Sequence, residues 1–250
     1  MKNSYKIEQY GALFDAHIHM YFDLNGGMLS PQDVVRCTLK KRFNWVLAMT
    51  HDTTYGAEKV QKLAKEKGLP CIVGIEVSTS YNHLLAYGVQ EWPYFRDVWD
   101  PEFAIEKLRE QDCAIFVSHP CNSTFNGRWT PDIVHKLDVD GVEWINASSL
   151  FLNKRTREMY ANCPEGRKIA GTDAHSTAMF GFAFTQVDVN STDPDDLVAA
   201  MKKGKCYPRG GYVPLTHILV EQLYGIKKKV LKRFKYEGKW ITPYRDIWPS

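Results

Sequence analysis

The stretch FDAHIHMYFD, Phe14 to Asp23, places two histidines and two aspartates in ten residues. In an extended strand alternate side chains share a face, so His17 and His19 point to the same side. Two imidazoles held together lose hydration that something must replace. A metal ion would do so; a pair of partly exposed structural histidines is the plainer alternative. The rest of the chain bears on the choice. Of its eight histidines, His17, His19, His51, His119 and His175 stand at or just past the C-terminal ends of expected strands. His83 stands at the start of one, and only His135 and His217 lie elsewhere. Glu76 ends the run CIVGIE, and Asp173 precedes His175 by two residues in GTDAHS. Asp15, Asp23, Asp52 and Glu143 also fall near strand ends. Imidazoles mixed with carboxylates suit zinc, manganese or iron. A carboxylate such as Glu76 has two oxygens and can bridge two ions. A pair of ions clamps the attacking and leaving oxygens of a phosphate ester and lowers the pKa of a bound water.

Such a site needs a scaffold that brings strand ends to one mouth. Short apolar runs alternate with helical patterns along the chain. ALFDAHIH, WVLAMT, CIVGIEVS, HLLAYGV, AIFVSHP, GVEWIN, KIAGT and FTQVDV read as strands. Helices are expected from Pro31 to about Lys41, and over GAEKVQKLAKEKG, PEFAIEKLREQD, PDIVHKLD, KRTREMYAN and DPDDLVAAMKKGK. About seven such units favour a parallel α/β sheet closed into a barrel. In barrels of that kind the chemistry sits at the C-terminal ends of the strands.

Composition sets the remaining bounds. A chain of 250 residues suits one domain with a large core. A net charge of +3 does not by itself imply nucleic acid. No apolar run is long enough to span a membrane, and MKNSYKIEQYG lacks the apolar centre of a signal peptide. The six cysteines are scattered and form no Cys-x-x-Cys pair, so a zinc ribbon and a dithiol redox site are not indicated. Free thiols without a signal segment suggest a cytoplasmic setting.

The ordered segments DAHIH, THDTTYGAEKV, GIEVST, HLLAYGV, VSHP, GVEWIN and GTDAHS resemble the PHP (polymerase and histidinol phosphatase) superfamily over roughly residues 12–210. The resemblance implies a distorted (β/α)7 TIM-like barrel with two or three divalent metal ions at the strand C-termini, and hydrolysis of phosphate esters. It implies metal-site roles for His17, His19, His51, Glu76 as the bridging carboxylate, His83, His119, Asp173 and His175. On this expectation His17, His19 and Asp173 hold one ion, and His83 and His119 serve a second through Glu76. Two positions depart from the family pattern. Thr50 stands where an aspartate is usual in the second motif, and FDLNGGMLSP replaces a shorter turn, so that Asp23 or Asn25 takes the place of its aspartate.

Other residues extend the expected site. Asp52 and His175 are candidates for proton transfer. Arg128, in the polar loop NSTFNGRWT, and Arg209, in the glycine-rich CYPRGGY, are candidates for holding a phosphate, as Arg155 and Arg167 could also be. The basic, aromatic segment 211–250 is expected as an extension packed on a single domain covering 1–250. Its run KKKVLKRFKYEGKW reads as the solvated face of a terminal helix, with nucleic-acid contact as the other reading. The function expected is a metal-dependent phosphoesterase that uses metal-activated water. Its expected partner is a phosphorylated small molecule, with nucleic acid open and no membrane. A non-catalytic module that binds metal or nucleic acid, and an amidohydrolase-type C–N hydrolase, are the alternatives. The second would typically bridge its metals with a lysine on a middle strand, where this chain has Glu76.

Overall fold

The computed structural model describes residues 11–22, 27–93, 99–121, 129–220 and 223, together with the backbone of 234–236 and 239–241. Asp23, Asn25 and Arg128 lie outside these residues. Six strands form the main sheet in sequence order: β2 (Val46–Ala48), β3 (Cys71–Ser78), β4 (His83–Tyr87), β5 (Ala114–Val117), β6 (Gly141–Asn146) and β7 (Lys168–Gly171). A second sheet has the order β1 (Ala12–Phe14), β8 (Ala183–Val187), β9 (Cys206–Gly210).

The main sheet is not wholly parallel. β2–β3, β5–β6 and β6–β7 pair in parallel, but β4 runs antiparallel to both β3 and β5. Only four residues separate β3 from β4, too few for a helical crossover, so the chain turns back on itself. This reversal puts the start of β4 at the same edge as the end of β3. Ser78 is paired with His83 and Glu76 with Leu85.

The sheet curls, and the chain beyond β1 is held by both of its edges. Met20 N–H donates to Met49 O beyond β2, and His19 N–H donates to Ala174 O beyond β7. Gly171 permits the close approach on the β7 side, since a Cβ there would lie 2.5 Å from the His17 nitrogen. Alternate residues fill two apolar layers, as a sheet buried on both faces requires. Leu85, Tyr87, Ala114 and Phe116 join the layer that contains β1 and the β2 residues. Leu84, Ala86, Ile115 and Val117 pack with Ala104, Ile105 and Leu108 of α3 (Pro101–Arg109).

The flanking helices begin where the sequence provides a cap. Ser30 and Asp33 form a reciprocal capping box at α1 (Pro31–Lys40). Asp100 caps α3, and Asp193 caps α6 (Pro194–Lys202). The remaining helices are α2 (Ala57–Glu66), the short α4 (Pro131–Val134) and α5 (Leu152–Met159).

Two expectations change. CYPRGGY, expected as a glycine-rich loop, is largely strand: Cys206–Gly210 forms β9, pairing with β8. The basic run near the C-terminus is not helical throughout. Phe234–Tyr236 pairs antiparallel with Lys239–Ile241, as strands β10 and β11. Alternating aromatic and basic residues have the period of a strand.

Candidate metal centre

Five imidazoles converge on Glu76 near the end of β3, and its two oxygens divide them. Glu76 Oε2 lies 3.1 Å from Nε2 of His17, 3.1 Å from Nε2 of His19 and 2.9 Å from Nε2 of His51. Glu76 Oε1 lies 3.1 Å from His83 Nδ1 and 3.1 Å from His119 Nε2, and it accepts a 2.9 Å hydrogen bond from the Ser118 hydroxyl. The antiparallel turn explains how His83 arrives here from the start of a strand. Asp173 completes the group: its Oδ1 is 3.0 Å from His19 Nε2 and 3.6 Å from His17 Nε2. His175 stacks on His19 at 4.3 Å between ring centres, and His51 stacks on the same ring at 4.5 Å. The structure thus brings together His17, His19, His51, Glu76, His83, His119, Asp173 and His175.

The backbone is shaped for this convergence. His119 (φ 20°), Asp52 (φ 49°) and Asp173 (φ 56°) all have positive φ, which non-glycine residues rarely adopt. Such strain persists only where surrounding contacts fix it.

Carboxylates outside the cluster orient its imidazoles. Glu143 Oε1 accepts a 3.0 Å hydrogen bond from His17 Nδ1, and its Oε2 accepts from the His119 backbone N–H at 2.8 Å. A carboxylate only accepts, so Nδ1 of His17 carries a proton and Nε2 is the nitrogen turned to the cluster. His175 Nδ1–H donates to Asp173 O at 3.0 Å, which fixes its ring in the same way. Asn146 donates to Glu143 Oε2 and to Asp173 Oδ2, both at 3.2 Å. Asp15 accepts from the Thr172 and Gly181 N–H groups at 2.7 and 2.8 Å and from the Thr172 hydroxyl, and so ties β1 to the end of β7. Glu143 and Asp15 had been legible only as acids near strand ends. Their supporting role depends on neighbours 126 and 157 residues away.

The remaining candidates sit apart from the cluster. Asp52 accepts from the Ser78 N–H at 2.8 Å and from its hydroxyl at 2.7 Å, so both oxygens are engaged at the end of β3. The Thr50 hydroxyl donates to Thr53 O within its own turn. Arg209 is exposed on β9, where its guanidinium donates to Gln186 Oε1 at 3.2–3.3 Å.

The electrostatics are those of a charge held out of water. Burial raises the carboxyl pKa of Glu76, but the imidazoles of His51, His17 and His83 outweigh it and hold the group well below the ordinary range. Burial likewise opposes ionisation of Asp173, and His17 and His19 overcome it. Burial disfavours the imidazolium of His17, yet Glu76, Asp173 and Glu143 push its pKa well above normal. At His83 burial wins and the pKa falls. Asp52 is pushed up to about 6 by burial, against the pull of His51 and Ser78.

The donor set fits divalent ions. Three groups of donor atoms each lie within 4.8 Å of one another: His17, His19 and Asp173; His17, Glu76 and His119; His19, His51 and Glu76. Among the described residues, Glu76 Oε2 and His83 Nδ1 are buried without a hydrogen-bond partner. Nitrogen lone pairs and carboxylate oxygens gathered without enough protons between them are what a cation satisfies.

Residues 161–206 match the PHP_C (PHP-associated) family model. The chain is 27% identical over 164 residues, 58% of its length, to an uncharacterized protein of Methanocaldococcus jannaschii, covering 92% of that protein. Its fold is similar to that of a two-domain protein from Bacteroides vulgatus that contains a predicted PHP-like metal-dependent phosphoesterase. The TM-score there is 0.62 at 14% identity, over 80% of this chain and 66% of that one. It is also similar to the lesion-specific endonuclease EndoQ of Pyrococcus furiosus, with a TM-score of 0.57 at 15% identity, over 78% of this chain and 57% of that one. The matched segment is PHP-associated and the fold is similar to that of a protein containing a PHP-like metal-dependent phosphoesterase, so over these parts the chain is similar to PHP proteins.

Proposed function

We propose that the protein is a metal-dependent hydrolase of phosphate esters that holds at least two divalent ions. The observation that carries this reading is the division of Glu76: one oxygen faces His17, His19 and His51, and the other faces His83 and His119. A carboxylate so placed serves two ions at once. Glu76 Oε2 with His17, His19 and Asp173 forms the group for one ion, and Glu76 Oε1 with His119 and His83 forms the group for the other.

Divalent ions bound here would neutralise phosphoryl oxygens and acidify a water ligand. The chain's own residues do the rest. Glu143 fixes the tautomer and ring plane of His17. Asn146 holds Asp173 in the cluster. His175 is partly exposed beside His19, with Nδ1 engaged by the Asp173 carbonyl, and is the group placed to accept or return a proton. Asp52, engaged by Ser78, acts in this reading as a brace for the end of β3. Arg128, eleven residues beyond the end of β5 in sequence, remains the cation assigned to the phosphate, and Arg209 the secondary one.

The reading is tested by loading the protein with manganese, zinc or iron and assaying p-nitrophenyl phosphate and bis-p-nitrophenyl phosphate, then nucleotides, sugar phosphates and oligonucleotides. Hydrolysis that a chelator abolishes is the expected result. Silence across the panel with two ions demonstrably bound would overturn the enzyme reading in favour of a binding module.

A further inference from the structure

The loop between β6 and α5 carries an aromatic ring that the fold does not use. Phe151 is 87% exposed. It occupies the N-cap position of α5, where a Ser, Thr or Asp would satisfy backbone N–H groups, and it offers no such acceptor. A local rule broken without a packing return points to function.

The loop is held firmly beside the metal centre. The N–H groups of Ser148 and Ser149 both donate to Asn146 Oδ1 at 3.1 Å, and the Ser148 hydroxyl donates to Thr172 O at 2.7 Å. Asn153 Nδ2 donates to Asn146 O at 2.7 Å. Asn146 is the residue that also contacts Asp173 and Glu143, so the ring projects from a rigid base five residues beyond the cluster.

Cations flank the ring. Lys154 and Arg155, three and four positions on, share its face of the helix and are exposed. Lys154 has only a 3.8 Å approach to Glu158, and no ion pair engages Arg155 among the described residues. A second aromatic stands alongside: Val213 N–H donates to Ala147 O, and Arg157 reaches the hydroxyl of the neighbouring, 43% exposed Tyr212 at 3.5 Å.

We propose that this rim binds a single-stranded polynucleotide, with a base stacked on Phe151 and flanking phosphates met by Lys154 and Arg155. The inference rests on the phosphoester reading of the metal centre and names its substrate class. An aromatic platform beside cations is the arrangement that takes single strands with little sequence preference. A free sugar phosphate has no aromatic base to stack on Phe151 and no successive phosphates for both cations.

The test is fluorescence anisotropy of a short labelled single strand with metal-loaded protein, the strand checked for integrity on a gel. Phe151→Ala should weaken binding about tenfold, the scale of one lost base stack, and Phe151→Trp should restore it. Arg155→Ala should flatten the dependence of log affinity on log salt by about 0.7, one phosphate contact on a single strand. Both side chains are exposed, so thermal unfolding should not move. Wild-type affinity and an unchanged salt slope in both variants would overturn the proposal. Binding is read without turnover, so failure to hydrolyse any phosphate ester counts against the hydrolase reading alone.

Discussion

Glu143 Oε1 lies 3.0 Å from His17 Nδ1, and both side chains are fully buried. This contact joins β6 to the segment after β1 and decides which nitrogen of His17 faces the cluster. Glu143→Gln keeps the shape but replaces an obligatory acceptor with an amide that also donates. Metal affinity should fall about 10- to 100-fold, as when such supporting carboxylates are lost elsewhere. Titration with a metal indicator would measure it, and wild-type affinity would show that His17 is oriented by something else.

Glu76→Ala should remove both ions, because each of its oxygens serves a separate set of imidazoles. His119→Ala should weaken one ion only. Elemental analysis after dialysis separates the two results. A Glu76→Ala protein with its full metal content would end the bridging assignment.

At Gly171 an added methyl would sit 2.3 Å from His17 Cβ and 2.5 Å from the His17 nitrogen, both in fixed backbone or its first side-chain atom. Gly171→Ala should therefore push β7 away from the segment that follows β1, lower the unfolding temperature and reduce metal content together. Calorimetry with metal analysis on the same sample checks the coupling. Normal stability would mean that the strands can part without loss.

Removing metal should destabilise the native protein. Ions that bind the folded cluster and not the unfolded chain add stability by mass action, about 2.7 kcal/mol at a hundredfold excess over Kd. A chelator should lower the unfolding temperature, and added manganese or zinc should restore it. No shift on chelation would count against resident ions.

Asp173→Asn should leave the fold intact, since Asn146 can still donate to the remaining oxygen. It removes a charge from the group formed with His17 and His19. Turnover of p-nitrophenyl phosphate should fall roughly 10²-fold or more, the scale of losing one electrostatic group at a reacting centre. Steady-state kinetics on metal-loaded protein would show it, and undiminished turnover would exclude Asp173 from the machinery.

Much of this architecture was legible in the chain. The apolar runs CIVGIEVS and GVEWIN are strands β3 and β6 residue for residue, because continuous apolar segments bury both faces of a sheet. Pro31, Pro101 and Pro194 open helices, because proline suits the first turn. His17-x-His19 on one side followed from the two-residue period of extended chain. What alternation does not encode is strand direction. HLLAYGV reads the same either way, and only pairing of β4 between β3 and β5 made it antiparallel and carried His83 to the mouth. Nor does sequence rank carboxylates by role. Glu76 stands out as a bridging carboxylate through the family resemblance, while Glu143 and Asp15 are acids near strand ends with no role assigned. Contacts over long separations placed Glu76 among five imidazoles, Glu143 behind His17 and Asp15 against Thr172. Periodicity is a local property and is written in the residues; the convergence of donors depends on how the strands close in space, which only the tertiary structure decides.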